Sequence, residues 1–158
     1  GMYYDKEAYK QMINQGDPLV YEFYNIDVPE KSSDLIYGTS IVYPGKVGDE
    51  FFMTKGHFHT ILETAESYFC LSGNGIMVME NQAGDSQIQE LRRGTALYVP
   101  PGYAHRSVNV SLKEPLVTFF TFRADAGHDY GTIEEKGFRK LVIDDQGKTK
   151  IIDNPNWK

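Results

Sequence analysis

Within the stretch KGHFHTILETAESYFCLSG, residues 55–73, the side chains of His57, His59 and Glu66 are all of kinds that bind divalent cations. In an extended segment residues i and i+2 project to the same face, so His57 and His59 can each offer a nitrogen to one ion without distorting the backbone. A strand is the expected carrier of the pair. Glu66 opens the next β-prone run, Ser67 to Leu71, and the intervening TILETA can fold back far enough to return its carboxylate to the histidines. The fourth donor is expected from His105 in GTALYVPPGYAHRSVN, where Pro101-Gly102 makes a tight turn just before the strand that the histidine starts. Three imidazoles and one carboxylate leave a divalent ion with net positive charge and open positions. That set suits Fe(II), Mn(II), Ni(II) or Zn(II), and affinity order alone does not choose among them.

The elements that position these residues follow from the pattern. Between Tyr3 and Asn14, Tyr9, Met12 and Ile13 fall at helical spacing, and Gly16, Asp17 and Pro18 end a short N-terminal helix. After Pro18 come short β-branched and aromatic runs: 19–26, 35–44 and 50–54, then ESYFCLSG, GIMVMEN, SQIQEL, TALYVP, HRSVNVS, PLVTFFTF, RKLVI and KTKII. Many short strands with almost no helical periodicity between them predict an antiparallel all-β barrel of jelly-roll type, with an interior lined from several strands. Gly73, Gly94, Pro100, Pro101 and Gly102 are turn residues in this reading, and Glu134-Glu135 and Asp144-Asp145 are solvated loop or turn surface.

A length of 158 residues is about one domain, able to bury a core without disulfides. The expected domain is residues 2–158, with 2–18 as a helical segment packed on it; Gly1 before Met2 reads as an expression remnant. A net charge of −6 with Lys and Arg scattered argues against nucleic acid. The longest apolar runs fall far short of a membrane span, and the lone Cys70, read as a core residue, fits a reducing compartment; a cytoplasmic location is expected.

The motifs also carry a resemblance. Gly48 and the residues up to His57, His59, Glu66 and Gly73 resemble the first cupin motif, and Gly94, Pro100, Gly102, His105 and Asn109 match the second. The gap between His59 and Glu66 is longer than the usual cupin form, which points to a subgroup. TKGHFH, the late glutamate, YVPPGYAHRSVN and DAGHDYGTIEEKGF are similar to the cupin-type glucose-6-phosphate isomerases, over residues 19–158 including the final DNPNWK. The resemblance implies a cupin jelly-roll β-barrel, one divalent metal ion per subunit with Fe(II) placed first, a phosphosugar substrate and a homodimer. The implied reaction interconverts glucose 6-phosphate and fructose 6-phosphate, a step of glycolysis and gluconeogenesis.

The residues can be read for that chemistry. Moving hydrogen between C2 and C1 builds negative charge on two oxygens, which a cation can hold and polarise. Glu66 either leaves the metal to remove the C2 proton, giving an enediol, or stays a ligand during a hydride shift; the enediol route is favoured. Tyr68, two residues on and on the same strand face, is placed to contact a substrate oxygen or orient Glu66, with core packing as its other reading. His128 is of the right class to open the sugar ring or shuttle a proton, its other reading being a hydrogen-bonded loop residue. Thr54 and the Gly56 N–H directly precede the ligand pair and are expected at the phosphate. The resemblance places Tyr21 and Ser40 near the same group, with Tyr130 closing that end. Lys55 is an electrostatic candidate that alternation can turn outward. Phe122 stands where the family can carry tyrosine, so any hydroxyl role there is absent or supplied by another residue. A mononuclear iron dioxygenase and a non-catalytic sugar sensor are the competing readings.

Overall fold

The computed structural model describes residues 2–157; Gly1, read as an expression remnant, and Lys158, the last residue of the DNPNWK match, lie outside them. In chain order its elements are α1 (Lys6–Asn14), β1 (Tyr21–Asn25), β2 (Leu35–Val42), β3 (Lys46–Val47), β4 (Glu50–Phe51), β5 (Glu66–Ser72), β6 (Asn74–Asn81), β7 (Ser86–Arg92), β8 (Ala96–Val99), β9 (Tyr103–Asn109), β10 (Leu116–Arg123), α2 (Gly131–Lys136), β11 (Lys140–Asp145) and β12 (Lys148–Asp153). They make three antiparallel sheets, ordered β1-β2-β10-β5-β8, β12-β11-β4-β3 and β7-β6-β9. This is the all-β jelly roll with one short N-terminal helix that the run of alternating strands predicts.

Alternation decides which side chains reach the interior. On β10 the burial alternates residue by residue, with Leu116, Thr118, Phe120 and Phe122 inward. The register with β5 pairs Phe122 with Glu66, Phe120 with Tyr68 and Thr118 with Cys70, so these form one inward row on the five-stranded sheet. Val42, Cys70, Met77, Met79, Leu97, Val99, Val108 and Leu116 pack into a common core, each large side chain contributing about 1.5–3 kcal/mol by leaving water. Strand β9 is buried from Ala104 to Asn109, on both faces. One face looks into the barrel with His105; the other is covered by chain-terminal segments, where the Arg106 guanidinium lies 4.3 Å from the ring centre of Phe138.

Helix α1 is capped by Asp5, whose carboxylate accepts from the Glu7 and Ala8 amides. Ahead of it, Tyr3 is buried in the main core, and the Tyr4 N–H donates to buried Glu50 at 2.7 Å.

Three local expectations change. His57 and His59 do not lie in a regular strand: the chain crosses between sheets there, held by single bridges of His57 with His105 and Phe58 with Asp129. It stays extended, so the two histidines still share a side while Phe58 enters the core. Residues 50–54 shrink to the two-residue β4 plus a bridge from Met53 to Val108. Glu134 and Glu135 are exposed as expected, but they lie on α2 rather than in a loop or turn; the helix buries Ile133 and pairs Glu134 with Lys55.

Candidate metal centre and active-site cavity

One donor atom each from His57, His59, Glu66 and His105 lies within 4.8 Å of every other. Ligand bonds of about 2.1 Å set opposite donors around one cation about 4.2 Å apart, so a contraction of about half an ångström brings the cluster to the span of a single ion. The carriers are distinct: Glu66 begins β5, His105 sits on β9, and His57 is drawn beside His105 by their backbone bridge, with N–H to O distances of 3.4 and 3.2 Å.

Hydrogen bonding fixes the orientation of His59. Its Nδ1 lies 3.1 Å from the Thr64 carbonyl oxygen and 2.8 Å from the Thr64 hydroxyl, which itself donates to the Ile61 carbonyl at 2.7 Å. Both neighbours of Nδ1 therefore act as acceptors, and Nδ1 carries the hydrogen. In the neutral ring this directs the Nε2 lone pair at Glu66 Oε2, 3.0 Å away, where a cation would be held between the two atoms. His105 Nε2 lies equally near Glu66 Oε2, at 3.0 Å, yet its direction makes no hydrogen bond. His57 Nε2 is likewise buried without a partner among the described residues. Buried polar atoms cost about 1–3 kcal/mol each when unsatisfied, and one divalent ion would satisfy all of these at once. The donor set fits a metal.

Protonation agrees. Burial opposes charge on Glu66, but the imidazoles facing it, His105 first, hold its carboxyl well below the usual carboxylate range. Burial, reinforced by His105 and His128, drives the His57 pKa down and keeps the ring neutral. An ionised carboxylate beside a neutral imidazole is the state in which these groups bind metal.

A cavity of about 130 Å³ opens over this cluster, lined by Tyr21, Phe23, Asn25, Ile36, Ser40, Thr54, Gly56, His57, Glu66, Tyr68, Phe120, Phe122, His128 and Tyr130. Of the eleven site residues expected from the sequence nine line the cavity, while His59 and His105 reach it through the donor cluster; Lys55 is not in the lining. Tyr68 is raised well above the ordinary phenol range by burial and then by the adjoining Glu66 carboxylate, so its hydroxyl stays protonated. His128 lies 4.4 Å from His57, centre to centre, and stacks on Tyr130 at 5.9 Å and 11°. Burial lowers its pKa.

Away from the histidines, Thr54 Oγ1 accepts the Ser107 N–H at 3.0 Å, leaving its own hydrogen to donate, and the Ser40 hydroxyl is buried without a partner among the described residues. Lys55 turns to Glu134 and lies 4.8 Å over the Tyr130 ring, outside the cavity lining. Phe122 packs against His59 at 5.7 Å and His128 at 5.4 Å, an apolar wall. A Cβ on Gly38 would stand 2.0 Å from the Tyr24 carbonyl oxygen and 2.8 Å from Phe120, so β1, β2 and β10 close beside the cavity only over glycine.

Several of these residues escape sequence reasoning. Thr64 is one; the long gap between His59 and Glu66 is its only signal, since that extra chain is what carries Thr64 back onto the imidazole. Phe23, Ile36 and Phe120 are ordinary inward strand residues, recognisable only once the register is known.

Comparison with known proteins agrees with this geometry. Residues 1–158 match the family described as glucose-6-phosphate isomerase (GPI). The glucose-6-phosphate isomerase of Thermococcus litoralis is 49% identical over 158 residues, covering 100% of this chain and 83% of that one. That of Sinorhizobium medicae is 41% identical over 161 residues, covering 100% and 75%. Among solved structures, an oxalate oxidase in complex with the substrate analogue glycolate superposes with a TM-score of 0.60 at 14% identity, over 76% of this chain and 59% of that one, a likeness of fold. Matched from end to end and close to half identical to such relatives, the chain belongs to the glucose-6-phosphate isomerase family, built on a cupin jelly roll.

Proposed function

We propose that the protein is a metal-dependent aldose–ketose isomerase interconverting glucose 6-phosphate and fructose 6-phosphate. The observation that carries this reading is a cavity with two unlike ends: four metal-ligand donors at one, and at the other a set of hydroxyls and the Gly56 amide, of which the Ser40 hydroxyl and that amide have no partner among the described residues. His57, His59, Glu66 and His105 hold one divalent ion per chain, Fe(II) before Mn(II), Ni(II) or Zn(II). When bound, that ion supplies Lewis-acid polarisation of the sugar carbonyl and its neighbouring oxygen.

The chain's own groups do the rest. Tyr21, Ser40, Thr54, the Gly56 N–H and Tyr130 bind the phosphate, which needs donors more than a full counter-charge. His128, neutral at pH 7 because burial disfavours its charged form, accepts the anomeric hydroxyl proton as the sugar ring opens, and that proton ends on the ring oxygen. Glu66 then removes the C2 proton and returns it to C1. Between those events O1 gains a proton and O2 loses one, and the protonated Tyr68 hydroxyl relays it. Phe120 and Phe122 keep water from the enediol.

Residues 2–158 act as one domain in this reading, supported by the burial of Tyr3 from the 2–18 segment in the main core. A homodimer forms through the outer face of β1-β2-β10-β5-β8, where Tyr24, Leu35, Tyr37, Phe69, Leu71 and Tyr98 are each more than a third exposed. No helix among the described residues is long and apolar enough to cross a membrane, and a reducing cytoplasmic compartment suits the one free cysteine. The oxygenase alternative draws nothing from the oxalate oxidase likeness, which at 14% identity concerns the fold alone.

In a coupled assay, protein loaded with Fe(II), Mn(II), Ni(II) or Zn(II) should convert fructose 6-phosphate to glucose 6-phosphate; no turnover with any of the four overturns the proposal. Entry of solvent deuterium into the product during turnover would support the enediol route, because the proton held on Glu66 exchanges in part before it reaches C1, whereas complete retention of the substrate hydrogen would weaken the base role of Glu66. Sedimentation at monomer mass would remove the dimer, and elemental analysis of protein from its native host identifies the ion.

A further inference from the structure

Arg106 follows a proposed metal ligand on β9 yet points to the opposite side of the strand, away from the cavity. It is only 2% exposed. Its guanidinium makes no salt bridge among the described residues; instead Nη2 donates to the Lys55 carbonyl oxygen at 2.5 Å, and the group lies 4.3 Å from the centre of the Phe138 ring. The carboxylates of Glu50 and Glu80 offset its charge. Among the described residues the guanidinium forms a salt bridge with neither carboxylate and donates instead to a backbone carbonyl, which requires an explanation.

The carbonyl it holds belongs to the Lys55–Gly56 peptide. A trans peptide is planar, with its C=O and N–H pointing in opposite directions. Fixing the Lys55 oxygen toward Arg106 therefore turns the Gly56 N–H the other way, and Gly56 lines the cavity. No acceptor among the described residues takes that N–H. Gly56 has φ +78°, and a Cβ there would stand 2.7 Å from the Phe138 ring and 2.9 Å from the His105 carbonyl oxygen. The peptide is thus gripped by Arg106 on its oxygen side and by Phe138 and β9 at its α-carbon. A cationic donor on the oxygen also polarises the peptide, strengthening its N–H as a donor to an anion.

We infer that Arg106 is a positioning residue for the phosphate of the substrate, acting through the Lys55–Gly56 peptide to aim and strengthen the Gly56 amide. This rests on the reading of Gly56 as a phosphate donor, and the two can be tested apart. In the Zn(II)-loaded protein, the Gly56 amide resonance is followed while inorganic phosphate is added, and KM and kcat for fructose 6-phosphate are measured on the active metal form. The wild-type Gly56 amide should move downfield on saturation. In R106M it should move much less, with KM and the inhibition constant for phosphate raised about tenfold, kcat changed by less than about threefold and metal stoichiometry unchanged. R106K, which keeps charge and one donor, should recover most of the affinity, and it carries the test if R106M does not fold. A wild-type amide indifferent to phosphate overturns the phosphate reading of Gly56 and this inference with it. A wild-type response reproduced in full by the folded Arg106 variants, or a loss confined to kcat, overturns the role of Arg106 alone.

Discussion

The two ends of the cavity are built in different ways. At the histidine end the donors are side chains of rare types, buried and pinned by their surroundings: Thr64 orients His59, a backbone bridge holds His57 to His105, and the first residue of β5 supplies Glu66. At the other end the donors are hydroxyls and one amide on common residues, and their direction comes from backbone geometry and from Arg106 behind it. A cation needs a specific set of donor atoms at fixed distances, which only a few side chains provide. A phosphate accepts any convergent N–H and O–H groups, so almost any residue can serve if the chain is shaped correctly.

The difference predicts how substitutions separate. E66Q keeps size but removes the charge that both binds the ion and takes the proton; kcat should fall about 10³-fold in stopped coupled assays, with KM nearly unchanged. T64V touches neither substrate nor ion, yet it removes the hydroxyl acceptor beside His59 Nδ1. Metal affinity measured by competition with a chromophoric chelator should weaken about 10–100-fold, and saturating metal should restore most activity. T54V acts at the opposite end: KM for fructose 6-phosphate should rise about tenfold with kcat and metal content close to wild type, and T54S should behave like wild type. A T54V enzyme that lost metal, or a T64V enzyme that lost only phosphate affinity, would dissolve the distinction.

The same contrast explains what could be read from the residues alone. The cluster of donor side chains was legible because His57, His59, Glu66 and His105 belong to few residue types at informative spacings, and the jelly roll was legible because inward and outward residues alternate along each strand. Helix α2 was not: GTIEEK is six residues long with one buried side chain, Ile133, too short to show a helical period. The irregular path of residues 54–60 was hidden because a bridge-held segment and a strand have the same alternation. Arg106 was hidden for a related reason, since its effect passes through a neighbouring peptide whose orientation no side-chain pattern records. Phe122 shows the converse, a departure visible in the sequence whose consequence, an apolar wall against His59 and His128, required coordinates.

In the proposed reaction one divalent ion, held by His57, His59, Glu66 and His105, is indispensable to the isomerisation. The direct measurement is turnover of fructose 6-phosphate by protein stripped with chelator and then reloaded stepwise, with bound metal counted at each step. Activity should vanish on stripping and return linearly up to one ion per chain, the H105A variant failing to recover at the same metal concentration. Undiminished turnover by protein free of metal, or full recovery in H105A, would contradict the account.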